Sequence, residues 1–500
     1  MSESPSAAPP PEFVRRLNFW ARDASNESAA LLAAPALGLF AHLPDADSGT
    51  PLSLEALAAR MGCAVRGVRA VVEPLVGLGF VHFEPGRGYS LPAEAGFLRA
   101  PGFLARLEEA RRGWHVAARL TDAVRTGGPV TWEGTPRDVL GAYRSAFLAE
   151  APAGQGALEA DYEDRAVRNG LRTQVLTAAS DVGLLERWVA GASSVEDLAR
   201  ELRVHPDGLG LLVAVLERMG LARREDDGRW GFSPTAALAL DATSVPYIQR
   251  ALPATQVYWE ALGHLDEAVR EQRFRLDLRN PETARRVYQE NASRISSIFA
   301  SHLRLSRNAA QLARRMRPLA GARVLDVGTG SGVWGAAFGL VDPTTHVTYL
   351  DSPHVLDAVR PHLARLKLEG RSELWAGDCL GVDYGEATYD VILLPQIIPA
   401  LPPGELPRFF AKLARALRPG GLLLISGYLL TDRRDGPLDA LYFALRRYVS
   451  NEGDVLSLPD FRALLEPVGL TASRGFDMPI QQVVIAHRGD VAWPDSATAA

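Results

Sequence analysis

Cysteine is nearly absent. The 500 residues hold two, Cys63 and Cys379, too few and too far apart for a disulfide framework, which points to a reducing cytoplasm. No apolar run reaches the ~18 residues of a membrane-spanning helix, and the Ser/Pro/Glu-rich start has neither the basic nor the apolar segment of a secretory signal. A positive charge excess is missing too: 54 Lys and Arg against 59 Asp and Glu leave −5, which gives no general affinity for nucleic acid or an acidic membrane. No His/Cys/Asp/Glu group shows metal-ligand spacing, so no metal is expected. What remains is an ordinary globular composition, at a length suited to about three domains. The first ~12 residues and those after Pro494 read as frayed tails.

The chain is organised around residues 323–335. Arg323-Val324-Leu325-Asp326-Val327 reads as a buried parallel strand, Gly328, Gly330 and Gly332 as a sharp turn, and the residues from Trp334 onward as a helix. Glycines suit such a turn because they accept positive φ and let backbone amides approach a ligand. Strand, glycine turn and helix together place a nucleotide-like ligand at the helix N-terminus. Further strands follow at residues 347–351, 374–379 and 389–396, and 417–425 reads as a turn, Arg418-Pro419-Gly420-Gly421, and then a fifth strand. The second ends in Asp351, roughly 20 residues past the glycines, where a ribose diol is bound in such folds. The third ends at Asp378. Strands alternating with helices at this spacing predict a doubly wound parallel sheet.

The segments Leu-Asp-Val-Gly-Thr-Gly-Ser-Gly (325–332), Leu350-Asp351, Gly377-Asp378, Tyr-Asp-Val-Ile-Leu-Leu (389–394) and Leu-Arg-Pro-Gly-Gly-Leu-Leu-Leu-Ile (417–425) resemble the class I S-adenosylmethionine-dependent methyltransferases that act on small aromatic or polyketide acceptors. The resemblance covers about residues 285–490. It implies S-adenosylmethionine as cofactor and S-adenosylhomocysteine as product. Backbone at Gly328 and Gly330 would approach the methionine moiety, and Asp351 would accept from the ribose hydroxyls. Asp378 would face the adenine amine, with Cys379 and Leu380 beside the ring, and Gly377, Pro395 and Gln396 would complete the cofactor-binding set. Asp326 reads as orienting the glycine loop, and Cys379 as a small buried hydrophobe rather than a reactive thiol.

Catalysis is where the sequence departs from this family. Many of its O-methyltransferases place a His after strand four to take the acceptor's proton; here the segment is Gln396-Ile397-Ile398-Pro399-Ala400-Leu401, with Pro399 in that place. The positions of the glutamates that plant members add fall on Gly427 and near Val455. Three readings stand open: an acceptor that is already nucleophilic, so that proximity suffices; another base, from His302, Tyr288, Tyr428 or Tyr442; or different chemistry on the same fold, as in the family's hydroxylases, decarboxylases and cyclases. The lid segment 436–448 supplies Tyr442, Phe443 and Tyr448 to stack on a flat acceptor, beside Pro399 and Tyr288, and Arg446 and Arg447, read either as holding a carboxylate or as a solvated helix end that complements the dipole.

The N-terminal half repeats itself. Ser53-Leu54-Glu55-Ala56-Leu57-Ala58 recurs as Ser194-Val195-Glu196-Asp197-Leu198-Ala199, and Ala36–Phe40 answers to Asp181–Leu185. Trp114 answers to Trp259, Ala123-Val124-Arg125 to Ala268-Val269-Arg270, and Tyr143 to Tyr288. Each copy predicts a capped helix, a second helix and a short hairpin, at 80–89 or 221–232: a winged helix-turn-helix. The recognition helices, 65–78 and 207–219, lack the basic face that DNA binding requires. The resembling family carries one such module for dimerisation and lid formation. The expected layout is therefore a winged-helix module at 1–150, a second with a connecting helix at 151–315 (helix 281–316 leading into the sheet), a Rossmann-like α/β domain at 316–492 and a tail at 493–500. The resulting expectation is a cytoplasmic methyltransferase of a small aromatic or polyketide-like metabolite, methylating oxygen or carbon, with no nucleic-acid or membrane partner. It would be a homodimer by resemblance, or a pseudo-dimeric monomer because of the repeat. The competing classes are a non-methylating relative and, less favoured by the acidic charge, a winged-helix regulator.

Overall fold

A computed structural model describes residues 10–150, 154–241, 244–290, 295–477 and 482–489. The chain divides into two compact units, Met1–Leu276 and Asp277–Ala500. The division falls before the helices at 281–316. The second of these buries its apolar stripe in the core of the α/β unit, and the backbone amide of Leu278 donates to the Ser450 carbonyl.

The first unit is mainly helical. Its labelled elements begin with α1 (Ala24–Ala36), α2 (Leu54–Met61) and α3 (Val65–Gly77). A hairpin of His82–Glu84 and Gly88–Ser90 follows, then α4 (Pro101–Ala117) and α5 (Leu120–Thr126). The same order is then run again: α6 (Asn169–Asp181), α7 (Val195–Leu202), α8 (Pro206–Arg218), the hairpin Ala222–Arg224 with Trp230–Phe232, α9 (Val245–Gly263) and α10 (Leu265–Glu271). Local chemistry fixes the boundaries. Ser53 and Ser194 each accept the amide three residues on, at 3.1 Å, and so start α2 and α7. The tail read through Glu12 is shorter than expected, because a helix already begins at Pro11.

Both predicted recognition helices are sequestered. Val68, Val71, Val72 and Leu75 of α3 are buried, as are Leu209, Leu212, Val213 and Leu216 of α8. Helix α10 packs on α3, and α5 packs on α8. The apolar faces of both helices are therefore part of the core of this unit.

The second unit is a seven-stranded sheet: β1 (Arg323–Val327), β2 (His346–Asp351), β3 (Ser372–Ala376), β4 (Tyr389–Pro395), β5 (Leu417–Gly427), β6 (Leu470–Asp477) and β7 (Gln482–Arg488), in the order β6-β7-β5-β4-β1-β2-β3. β1 to β5 pair in parallel, while β7 runs antiparallel to both β5 and β6. Alternation along the strands feeds two cores. Val391, Leu393, Leu422 and Leu424 face α11 (Ile295–Met316), α12 (Val333–Val341) and α13 (Pro353–Arg365). Ile392, Leu394, Leu423 and Ile425 face α14 (Leu406–Ala416) and, beyond α15 (Leu438–Val449), helix α16 (Leu458–Leu465). Buried Asp390 pins the edge opposite the site: it accepts Arg317 at 2.6 Å, Arg418 at 2.8 Å and the Arg323 amide at 2.8 Å, tying β1, β4 and β5 together.

One sequence expectation changes here. The Arg418–Gly421 segment is not a turn ahead of β5 but part of it, taken up as an irregular register against Tyr389–Val391. Of the helix expected over 281–316, Pro281–Glu290 and α11 are helical, and 291–294 lie outside the described residues.

Candidate functional site

The site is built at the carboxyl ends of β1, β2 and β4, where the order of connection reverses. Gly328 and Gly330 take φ of 64° and 53°, a region that costs any side chain strain. A Cβ on Gly330 would meet nothing nearer than the Gly328 carbonyl oxygen at 4.0 Å, so no side chain crowds the turn there. The turn is tied to β2: the Gly328 and Thr329 amides donate to the Leu350 carbonyl at 2.9 and 3.2 Å. The Gly330 amide donates to Asp351 Oδ2 at 3.0 Å. Asp351 Oδ1 accepts the Ser352 amide at 2.7 Å. Burial raises the Asp351 carboxyl above its ordinary range, against these hydrogen bonds to the charged form.

Asp326 lies fully buried beneath the turn. Its Oδ2 accepts Thr329 Oγ1 at 2.7 Å and the Gly335 amide at 2.9 Å, so it ties the glycine loop to α12. Gly335 must be glycine, since a Cβ there would lie 2.5 Å from Tyr349. Asp326 Oδ1 is buried with no hydrogen-bond partner. Burial pushes this carboxyl up to about 7. A folded value above the unfolded one means that the native state holds the proton more tightly. The stability this group contributes is therefore full below the unfolded value and is lost as pH rises through about 7. Asp326→Asn is expected to remove that loss, so that its Tm falls less than the parent's between about pH 6 and pH 8 in calorimetric melts; equal falls would refute the assignment.

At the end of β3, the Gly377 amide donates to the Asp351 carbonyl at 3.1 Å, and exposed Asp378 accepts the Leu380 amide at 3.0 Å. The Cys379 thiol is pushed up to about 12, mainly by burial and then by Asp378 and Asp351, which makes it a neutral packing group. After β4, Pro395 leads into Gln396, whose φ is +60° and whose amide donates to the Ser426 carbonyl at 2.8 Å. Gln396 Oε1 is buried with no hydrogen-bond partner. Ile397, which the sequence reading passed over, lies against the glycine turn: a Cβ on Gly328 would stand 2.7 Å from Ile397 Cδ1. The isoleucine pair directly after a strand was the signal available for it.

Beside this crevice, a narrow cleft is walled by Ile398, Pro399, Ile425, Tyr428, Asp454 and Gln482, among others. Pro399 lines it, and its carbonyl accepts the Gly453 amide at 2.9 Å, so the residue in the place of the resembling family's His also locks the loop. The ionisable groups on this wall are Asp454, which Arg434 pairs at 3.6 Å, and Tyr428; among the described residues no imidazole lines it. Phe443 stands 4.6 Å from the Tyr428 ring, centroid to centroid. Arg446 and Arg447 lie over Phe443 at 5.6 and 4.9 Å, and Arg447 also pairs with buried Glu452 at 2.7 Å. Tyr442 is buried within α15 and is not part of the cleft wall. His302 is half-buried on α11, a helix of the opposite sheet face from Ile425. The side chain of Tyr288, expected as a base or pocket wall, lies outside the described residues.

A methyltransferase-domain family matches residues 324–421, the stretch from β1 into β5 that carries the crevice. This chain is a methyltransferase. A second family, the O-methyltransferase dimerisation domain, matches residues 22–98. The 3-hydroxy-5-methyl-1-naphthoate 3-O-methyltransferase of Streptomyces sahachiroi is 26% identical over 309 residues, 61% of this chain and 87% of its own. Acetylserotonin O-methyltransferase of Rattus norvegicus is 27% identical over 341 residues, 64% of this chain and 75% of its own. The solved structure of human N-acetylserotonin methyltransferase in complex with SAM superposes with a TM-score of 0.56 at 20% identity, over 68% of this chain and all of that one, which shows the shared fold. Together these matches support the S-adenosylmethionine-dependent O-methyltransferase family. Among the described residues of this methyltransferase, no helix is long and apolar enough to cross a membrane.

Proposed function

We propose that the enzyme moves a methyl group from S-adenosylmethionine to an oxygen of a small hydroxyarene, or to a carbon made nucleophilic by one, in the synthesis of a secondary metabolite. The observation that carries this is the Asp351 carboxylate holding the Gly330 amide of the glycine turn at the sheet's switch point. The donor set fits the cofactor: an acid for the ribose diol, open backbone at the glycine turn and a second acid, Asp378, at the next strand end. S-adenosylmethionine, when bound, supplies an electrophilic sulfonium methyl. The chain's own part is to bind, align and exclude water, because the cleft wall carries the Tyr428 ring, backed by Phe443, and among the described residues no imidazole. Alignment alone is worth many orders of magnitude when the acceptor is already nucleophilic. The acceptor is therefore an acidic phenol or enolate that ionises by itself, taken up by a cytoplasmic enzyme.

The test is methyl transfer from labelled S-adenosylmethionine to a series of phenols of graded acidity. We expect log kcat/KM to rise with pH up to each acceptor's own pKa and to shift with it. A break fixed near neutrality for every acceptor would reveal an enzyme base and refute this mechanism. The Pro399 substitution favours one second reading, a non-methylating relative. Cofactor binding with no methylated product from any acceptor would establish that reading instead. In the same proposal, residues 1–150 and 151–315 are two copies of one module ahead of a catalytic domain at 316–492. The repeated order of helices and hairpins in the first unit supports this. The sequestered recognition helices speak against a DNA-binding regulator.

A further inference from the structure

We infer that the helical unit is a closed pseudo-two-fold dimer formed within one chain, so that the surface on which such a module would take a second copy is already occupied in cis. The inference rests on the duplication proposed above. In the register that aligns Ala36 with Asp181, Ser28 answers to Thr173 and Trp20 to Arg165. Ser28 Oγ donates to the Arg165 carbonyl at 2.8 Å, and Thr173 Oγ1 donates to the Trp20 carbonyl at 2.8 Å. Each bond is the other's mate under exchange of the two copies.

The same reciprocity recurs further along. Arg125 donates to the Asp181 carbonyl, and its counterpart Arg270 donates to the Ala36 carbonyl. Helix α5 packs on α6 and α8, and its counterpart α10 packs on α1 and α3. Residues that answer to each other meet directly only on a two-fold axis, and there Trp114 stacks on Trp259, with centroids 4.1 Å apart and planes 15° apart. Residue i touching j while j's counterpart touches i's is the signature of an isologous interface, here between two halves of one chain.

The copies have also diverged into complementary halves. Glu27 is buried and takes Arg165 at 3.1 Å and Asn169 at 2.8 Å, whereas its counterpart is Arg172, which pairs with Asp164. Trp114 Nε1 donates to the Trp259 carbonyl, and Trp259 Nε1 makes no such return bond. A surface so specialised is matched to the other half of the same chain. The enzyme is accordingly a monomer with one methyl-transfer site for each pair of modules.

Sedimentation equilibrium of the full chain across the micromolar range tests this without reference to methyl transfer. A single species at the chain mass of 54.0 kDa is expected, with no mixed complex recovered from two co-expressed, differently tagged chains. A species of twice that mass, or recovery of the mixed pair, would overturn the inference and leave the catalytic proposal untouched. Failure of methyl transfer by a 54.0 kDa monomer would do the reverse.

Discussion

Asp351→Ala is expected to weaken S-adenosylmethionine binding by roughly 100-fold, read by isothermal titration calorimetry, with S-adenosylhomocysteine affected alike. The size follows from what the carboxylate does in two directions. One oxygen holds the Gly330 amide at 3.0 Å and the other holds Ser352, so the side chain shapes the glycine turn before any ligand arrives. In the proposed complex it would also accept from the ribose diol, where a hydrogen bond to a charged group contributes about 1.5–3 kcal/mol; losing ~3 kcal/mol corresponds to about a hundredfold in affinity. Asp351→Asn keeps the shape and one acceptor oxygen and is expected to lose only about tenfold. If both variants bound the cofactor as tightly as the parent, the crevice at β1 and β2 would not be its site.

Much of this crevice could be read from sequence because each part of it is local. Continuous apolar runs such as 389–394 mark strands buried on both faces, and three glycines within five residues mark the turn between strand and helix. The acids at 326, 351 and 378 stand at strand ends by counting alone. What could not be read depends on partners distant in sequence. Arg446 looked available to an acceptor's carboxylate, but it lies over Phe443, as does Arg447, which is further held by Glu452. His302 looked like a base because its helix adjoins the catalytic domain, yet periodicity cannot say against which sheet face a helix packs, and α11 belongs to the face opposite Ile425. The winged-helix pattern was legible as two modules. That their recognition helices are covered by α5 and α10 was not, because burial of a helix by its own repeat is a tertiary fact.

Trp114→Ala is expected to destabilise the helical unit by about 3–5 kcal/mol, the usual cost of removing a buried tryptophan, seen as a lower Tm or denaturation midpoint. The site has no means of collapsing into the space left: a Cβ on Gly263 would already stand 2.4 Å from the indole, and one on Gly170 at 3.2 Å, so both neighbours have been reduced to glycine to admit the ring. The stack on Trp259 adds ~0.5–1.5 kcal/mol beyond area burial. The cycle formed by Trp114→Ala, Trp259→Ala and the double variant should return a coupling of about that size. The shape of the melt matters as much as its position. If the two modules are halves of one pseudo-two-fold core, either substitution lowers a single cooperative transition for the whole unit, because each module's α5 or α10 lies in the other's core. If the modules were independent, Trp114→Ala would split off an early step that leaves the second module's transition unmoved, and the closed pseudo-dimer would have to be abandoned.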